Sequence, residues 1–166
     1  LSLSADPTAV VGSFLLAALL GGAGMRFLGL SGGEALGGSL LAVALHWGSD
    51  IAHHLGHARA ARRTGYPMSG IRLGKWGVLG TSLYPADEPA LPAAIHIRRA
   101  LGGPAGSLVV TLAAAAVALA LRAEGGALWW VAVFVFLDNL LLLTLGAFLP
   151  LGFTDGSTLL RWWGNR

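Results

Sequence analysis

The stretch His46-Trp47-Gly48-Ser49-Asp50-Ile51-Ala52-His53-His54-Leu55-Gly56-His57 sets the ionisable residues His46, Asp50, His53, His54 and His57 in an otherwise apolar run. The spacing is helical. His53 and His57 are four residues apart, about 40° around an α-helix, so both imidazoles leave one face and can converge on one small cation. Ionisable groups in apolar surroundings are costly unless they pair or hold an ion, so the stretch reads as a buried metal site.

The surroundings of that helix decide the fold class. The chain is 55% hydrophobic and only 11% charged, with a mean hydropathy of +0.69, which is more apolar than a soluble domain can cover with polar surface. We therefore expect an all-α membrane protein with about four transmembrane helices in a single domain, 1–166. Glycine is frequent (25 residues) and accompanies Ala/Leu runs, so the helices are expected to approach closely through small side chains. Cysteine is absent, which excludes disulfides and thiolate metal sites.

Span one is placed at about 8–29, where 8–25 carry no charge and Asp6-Pro7 makes a break in front. It is read as a span and not as a signal peptide, because no clear cleavage pattern follows. The short turn Leu30-Ser31-Gly32-Gly33-Glu34 makes spans one and two antiparallel neighbours. Span two, 35–63, carries the histidines and ends in Arg59, Arg62 and Arg63 with Gly65 beyond, as helix stops do. The connection 64–99 holds Ile71 to Gly80, whose partial alternation and glycines suggest a short interfacial β-ribbon between spans two and three. A polar break from Tyr84 to Pro92 precedes span three, 100–122. Span four, 126–149, is interrupted by Asp138-Asn139, a pair expected to hydrogen-bond to another helix. Trp129-Trp130 and the Leu159–Trp163 tail with Arg161 read as interfacial, and His96 beside Arg98 and Arg99 as a solvated surface.

Arg59, Arg62, Arg63, Arg72, Lys75, Arg98 and Arg99 all fall at the end of span two or in the following connection, against Arg26 and Arg122 on the other side. The positive-inside rule then makes the connection cytoplasmic, and both termini with it, in a prokaryotic-type cytoplasmic membrane; Arg161 and Arg166 agree. The basic residues follow topology, so no nucleic-acid partner is expected; the lipid bilayer is. Two histidines need at least one more protein ligand to hold zinc. Asp155, after span four at the depth of His57, is the favoured third ligand, with Asp50 and His46 as acceptors or donors that orient the imidazoles.

These residues resemble the site-2 protease family of intramembrane zinc metalloproteases. His53-His54-Leu55-Gly56-His57 stands where the family has HExxH, Gly103-Pro104-Ala105-Gly106-Ser107 where it has Gly-Pro-x-x-Asn, and Ala147-Phe148-Leu149-Pro150-Leu151-Gly152-Phe153-Thr154-Asp155-Gly156 where it has Asn-x-x-Pro-x-x-x-x-Asp-Gly. The resemblance covers roughly 45–160 and implies a zinc ion on His53, His57 and Asp155. It also implies a general base at His54 and a substrate or oxyanion contact at Ser107. The departures fall on the catalytic positions: His54 replaces the glutamate, and Ser107 and Ala147 replace the asparagines. Imidazole can act as a base near neutral pH, although a neighbouring zinc ion disfavours the imidazolium; His54 could equally close the metal's open position as a further ligand.

Two functional readings follow. In one, the chain is a non-proteolytic subunit or regulator of a larger membrane complex, with a structural metal. In the other, it is an active intramembrane metalloprotease that cleaves single-span proteins near the cytoplasmic face. A weaker third reading has His46 ligating a pigment or haem in such a complex.

Overall fold

The computed structural model describes residues 1–75 and 77–164. Trp76, inside the expected ribbon, and Arg166, used above for orientation, lie outside the described residues. The elements in order are β1 (Ser2–Ala5), α1 (Pro7–Leu28), α2 (Gly32–Arg63), β2 (Gly70–Leu73), β3 (Thr81–Leu83), α3 (Ala93–Ala120), α4 (Gly126–Leu137) and α5 (Asp155–Trp163). Between α4 and α5 the fourth long helix continues as a π-helical segment, Asp138–Leu145, and a 3-10 turn, Gly146–Phe148.

Helix ends are set by local chemistry. Asp6 caps α1 by accepting from the Thr8 amide at 3.0 Å, and Pro7 occupies the first helical position. Gly29 closes α1 with φ of 67°, a conformation that favours glycine. Ser31 and Glu34 form a reciprocal capping box that starts α2 at once, so α1 and α2 turn back on each other.

Three helical stretches, Pro7–Leu28, Ala93–Ala120 and Gly126–Phe148, are long and apolar enough to cross a membrane. Their outward side chains, such as Phe14, Leu19, Phe27 and Val109, are largely exposed, a surface that lipid would cover. The fourth, α2, has 32 residues, about 48 Å of helix, but its interior face is polar, with Ser39, His46, Ser49, Asp50, His53, His54 and His57 all buried. It packs against α1, α3 and α4. Between α2 and α3 the backbones nearly touch: a Cβ on Gly102 would lie 2.6 Å from the Gly56 carbonyl oxygen. Side chains other than glycine would force the ligand-bearing helix away from its neighbour.

Three features differ from the sequence expectation. Helix α3 begins at Ala93 and not near 100, because Pro92 caps it and Ala93, Ile97 and Ala100 recur at helical spacing on a buried face. His96, Arg98 and Arg99 are therefore helical, and His96, half-buried, is stacked on Trp162 with ring centroids 4.3 Å apart. The ribbon exists as β2 and β3 paired antiparallel, but β1 adds a parallel third strand, Ser2 opposite Gly70 through Ala5 opposite Leu73. The segment before Asp6 is thus a strand joined to the connection. Finally, Trp130 packs into the cluster of Ala42, Ala114, Val131 and Val135 and does not serve only as an interfacial anchor.

Candidate metal centre

Two helices that are distant in sequence deliver the three groups. His53 and His57 project from α2 as their spacing requires. Asp155 is the first residue of α5, behind a reversal at Gly152, where φ is 89°. Thr154 fixes that reversal by donating its hydroxyl to the Leu149 carbonyl, and the Gly152 amide donates to Ser157 Oγ at 2.7 Å. Gly156 has no room for a side chain, because a Cβ would run into the Phe148 carbonyl.

The result is a tight triangle. The Nε2 atoms of His53 and His57 are 3.1 Å apart, and each lies 3.4 Å from a carboxylate oxygen of Asp155. A tetrahedral ion bound at about 2.0–2.1 Å would separate its ligands by about 3.3–3.4 Å. The three groups could hold a metal ion.

What lies behind the imidazoles supports the same use. His57 Nδ1 faces the Arg99 carbonyl at 2.8 Å and, at the longer distance of 3.2 Å, the Gly103 amide; the shorter contact is to an acceptor, which favours a proton on Nδ1 and leaves the Nε2 lone pair for a cation. His53 Nδ1 meets Ser107 Oγ at 2.8 Å, which lets His53 adopt the same tautomer. Two bare nitrogens and a carboxylate so close repel each other unless a positive charge sits among them. Gly103 completes the back wall, since a Cβ there would overlap Nε2 of both histidines.

The other predicted residues are placed as follows. His54 turns away from the triangle: Nδ1 lies 2.9 Å from Ser82 Oγ on β3, and Nε2 lies 3.7 Å from Asp50 Oδ1. Asp50 also accepts from the Gly80 amide at 3.3 Å, and its Oδ2 is buried without a partner among the described residues; its nearest histidine contact is to His54. His46 bonds to Asp138 at 3.0 Å and to the Val78 carbonyl at 2.6 Å, so it ties α2 to the π-helical segment and to the hairpin. Asn139 donates to Ser49 Oγ and to the Val135 carbonyl, both at 2.9 Å, the latter within the widened turns of its own helix. Ser107 is fully buried and is turned toward His53. Ala147 does line the cavity described next.

That cavity, about 480 Å³, opens over the triangle. Its lining is apolar at Leu141, Leu142, Ala147, Leu149, Leu151 and Phe153, and polar at Tyr84, Glu88, His96 and Arg99. Arg99 grips Glu88 with both terminal nitrogens, at 2.9 and 2.5 Å. That grip holds the Glu88 carboxyl below its ordinary value, and burial pushes the Tyr84 phenol up to about 12.

Sequence reasoning missed Ser82, Gly80 and the Arg99 carbonyl. A carbonyl carries no side-chain signal, and Ser82 reaches His54 only because β3 folds over α2. Compared with family models, curated proteins and solved structures, the chain matches none of them.

Proposed function

We propose that this chain is a divergent, site-2-protease-like membrane protein that crosses the bilayer four times. It would hold one zinc ion on His53, His57 and Asp155 and act as a non-proteolytic subunit or regulator of a larger membrane complex. The observation that carries the reading is a contrast within one site. The three ligand groups and the acceptors behind them are assembled at metal-binding separations. The position that a protease needs for its base is a histidine whose ring nitrogens are directed at Ser82 and Asp50. Zinc in such a site would supply a fixed double positive charge that locks α5 to α2 and, where a position is open, Lewis acidity.

Topology supports four crossings. Pairing of β1 with β2 joins the start of α1 to the connection that follows α2, and Asp155 lies beside His57 in the later part of α2, contacts that favour one common side for these segments. The same side carries Arg59, Arg62, Arg63 and Arg72, which favours a cytoplasmic location for both ends of the chain. The second reading, a slow intramembrane protease, is favoured by one observation: His54 lines the cavity, its ring 5.8 Å from that of His57, with the Asp50 carboxylate behind it.

Extraction from native membranes in mild detergent tests the proposal. The intact particle would be analysed for mass, subunit stoichiometry and metal. Co-migration in fixed ratio with other polypeptides is expected. A free chain that cleaves single-span substrates, and stops doing so when His54 is replaced, would overturn it.

A further inference from the structure

We propose that Arg99 is a carboxylate-recognition fork in the lining of the cavity, occupied here in cis by Glu88, and that the cavity takes an apolar chain ending in a carboxylate. This goes beyond the metal site and beyond the choice between subunit and protease.

The fork is built before any ligand arrives. The Arg99 side chain is 6% exposed, and its guanidinium lies over the Tyr84 ring at 4.3 Å and near the Tyr66 ring at 6.0 Å. Stacked on rings and anchored by a bond from Nη2 to the Tyr66 carbonyl at 2.5 Å, the planar group has little freedom left to lose. It meets Glu88 end-on, Nη1 to Oε2 and Nη2 to Oε1, which is the bidentate arrangement that guanidinium makes with any carboxylate.

The present occupant is poorly anchored by comparison. Glu88 lies in the proline-flanked stretch Pro85–Pro89, outside every helix and strand. Its amide makes a long bond, 3.4 Å, to the Pro85 carbonyl. A carboxylate on such a tether competes at an effective concentration on the order of millimolar, which a ligand carrying its own apolar binding energy can exceed. The cavity supplies that energy. Leu141, Leu142, Ala147, Leu149, Leu151 and Phe153 line the same cavity of about 480 Å³ as the fork. A group with one negative end and an apolar body satisfies both ends. Two sources share that chemistry, a fatty acid and the free C-terminus of an apolar peptide.

The test is direct binding to the full-length chain in detergent, run with and without zinc. The probes are dodecanoate against dodecanamide, and an apolar hexapeptide with a free against an amidated C-terminus. If Glu88 holds the fork nine-tenths of the time, Glu88→Gln should tighten the acid form by about tenfold and leave the amide unchanged. Adding Arg99→Gln should then abolish the preference for the acid. A gain confined to dodecanoate assigns the fork to lipid, and one confined to the free peptide assigns it to a chain terminus; either supports the proposal. Equal binding of acid and amide by Glu88→Gln, or no gain over the parent protein, overturns it. Glu88→Gln alone decides the matter if the double variant does not fold, and circular dichroism and zinc content should match the parent.

Discussion

Ser107→Ala removes one oxygen, and the structure says what that oxygen does. Ser107 is 0% exposed, and its Oγ is 2.8 Å from His53 Nδ1. Without it the imidazole N–H is buried with no acceptor, which costs about 1–3 kcal/mol of stability. The ring also loses the partner that fixes its tautomer and angle, and removing such a partner weakens metal affinity about 10–100-fold, or about 1.4–2.7 kcal/mol. The assay is competition for zinc with a chromophoric chelator, on protein purified in detergent. We expect stoichiometry to stay at one ion per chain while the affinity falls within that range. Affinity unchanged within about twofold would refute the reasoning, because it would mean that Ser107 does not orient a ligand.

Other outcomes follow from the same geometry. Gly103→Ala drives a methyl into Nε2 of His53 and His57, so zinc binding should be lost outright, with a lowered melting temperature, whereas Gly22→Ala, with nothing near its Cβ, should change neither. Asp138→Asn leaves His46 without its carboxylate in a buried pair and should destabilise the protein by about 3–5 kcal/mol in denaturant titrations. Glu88 has its carboxyl held low in the folded protein. Its contribution is therefore complete above the ordinary value of 4.5 and is lost as pH falls through the depressed one; thermal melts in that acid range should show a loss that Glu88→Gln lacks.

Much of the site could be read from the sequence because side-chain spacing carries it. His53 and His57 share a helix face by arithmetic alone, and a lone Asp155 after the last long apolar run had few other reasons to be there. The second group of contacts was not legible, because it depends on how distant segments lie over one another. Nothing in Asp50 announces that Gly80 will bring its amide to within 3.3 Å, and His46 was expected beside the ligands although Asp138, ninety-two positions away, takes it. The start of α3 escapes the sequence for a related reason: Arg98 and Arg99 read as the charged edge of a connection, yet both are helical and Arg99 is buried against Glu88. β1 is not legible because Leu1-Ser2-Leu3-Ser4-Ala5 alternates over only five residues and is exposed throughout the strand; only its partner β2 makes it a strand.

The central claim is that His53, His57 and Asp155 hold a metal and that His54 does not. The most direct measurement is metal content per chain in the purified parent, Asp155→Asn and His54→Ala, each checked for folding by circular dichroism. About one zinc per chain in the parent and in His54→Ala, with loss in Asp155→Asn, is the predicted result. Zinc retained by Asp155→Asn, or lost only when His54 is replaced, would contradict it.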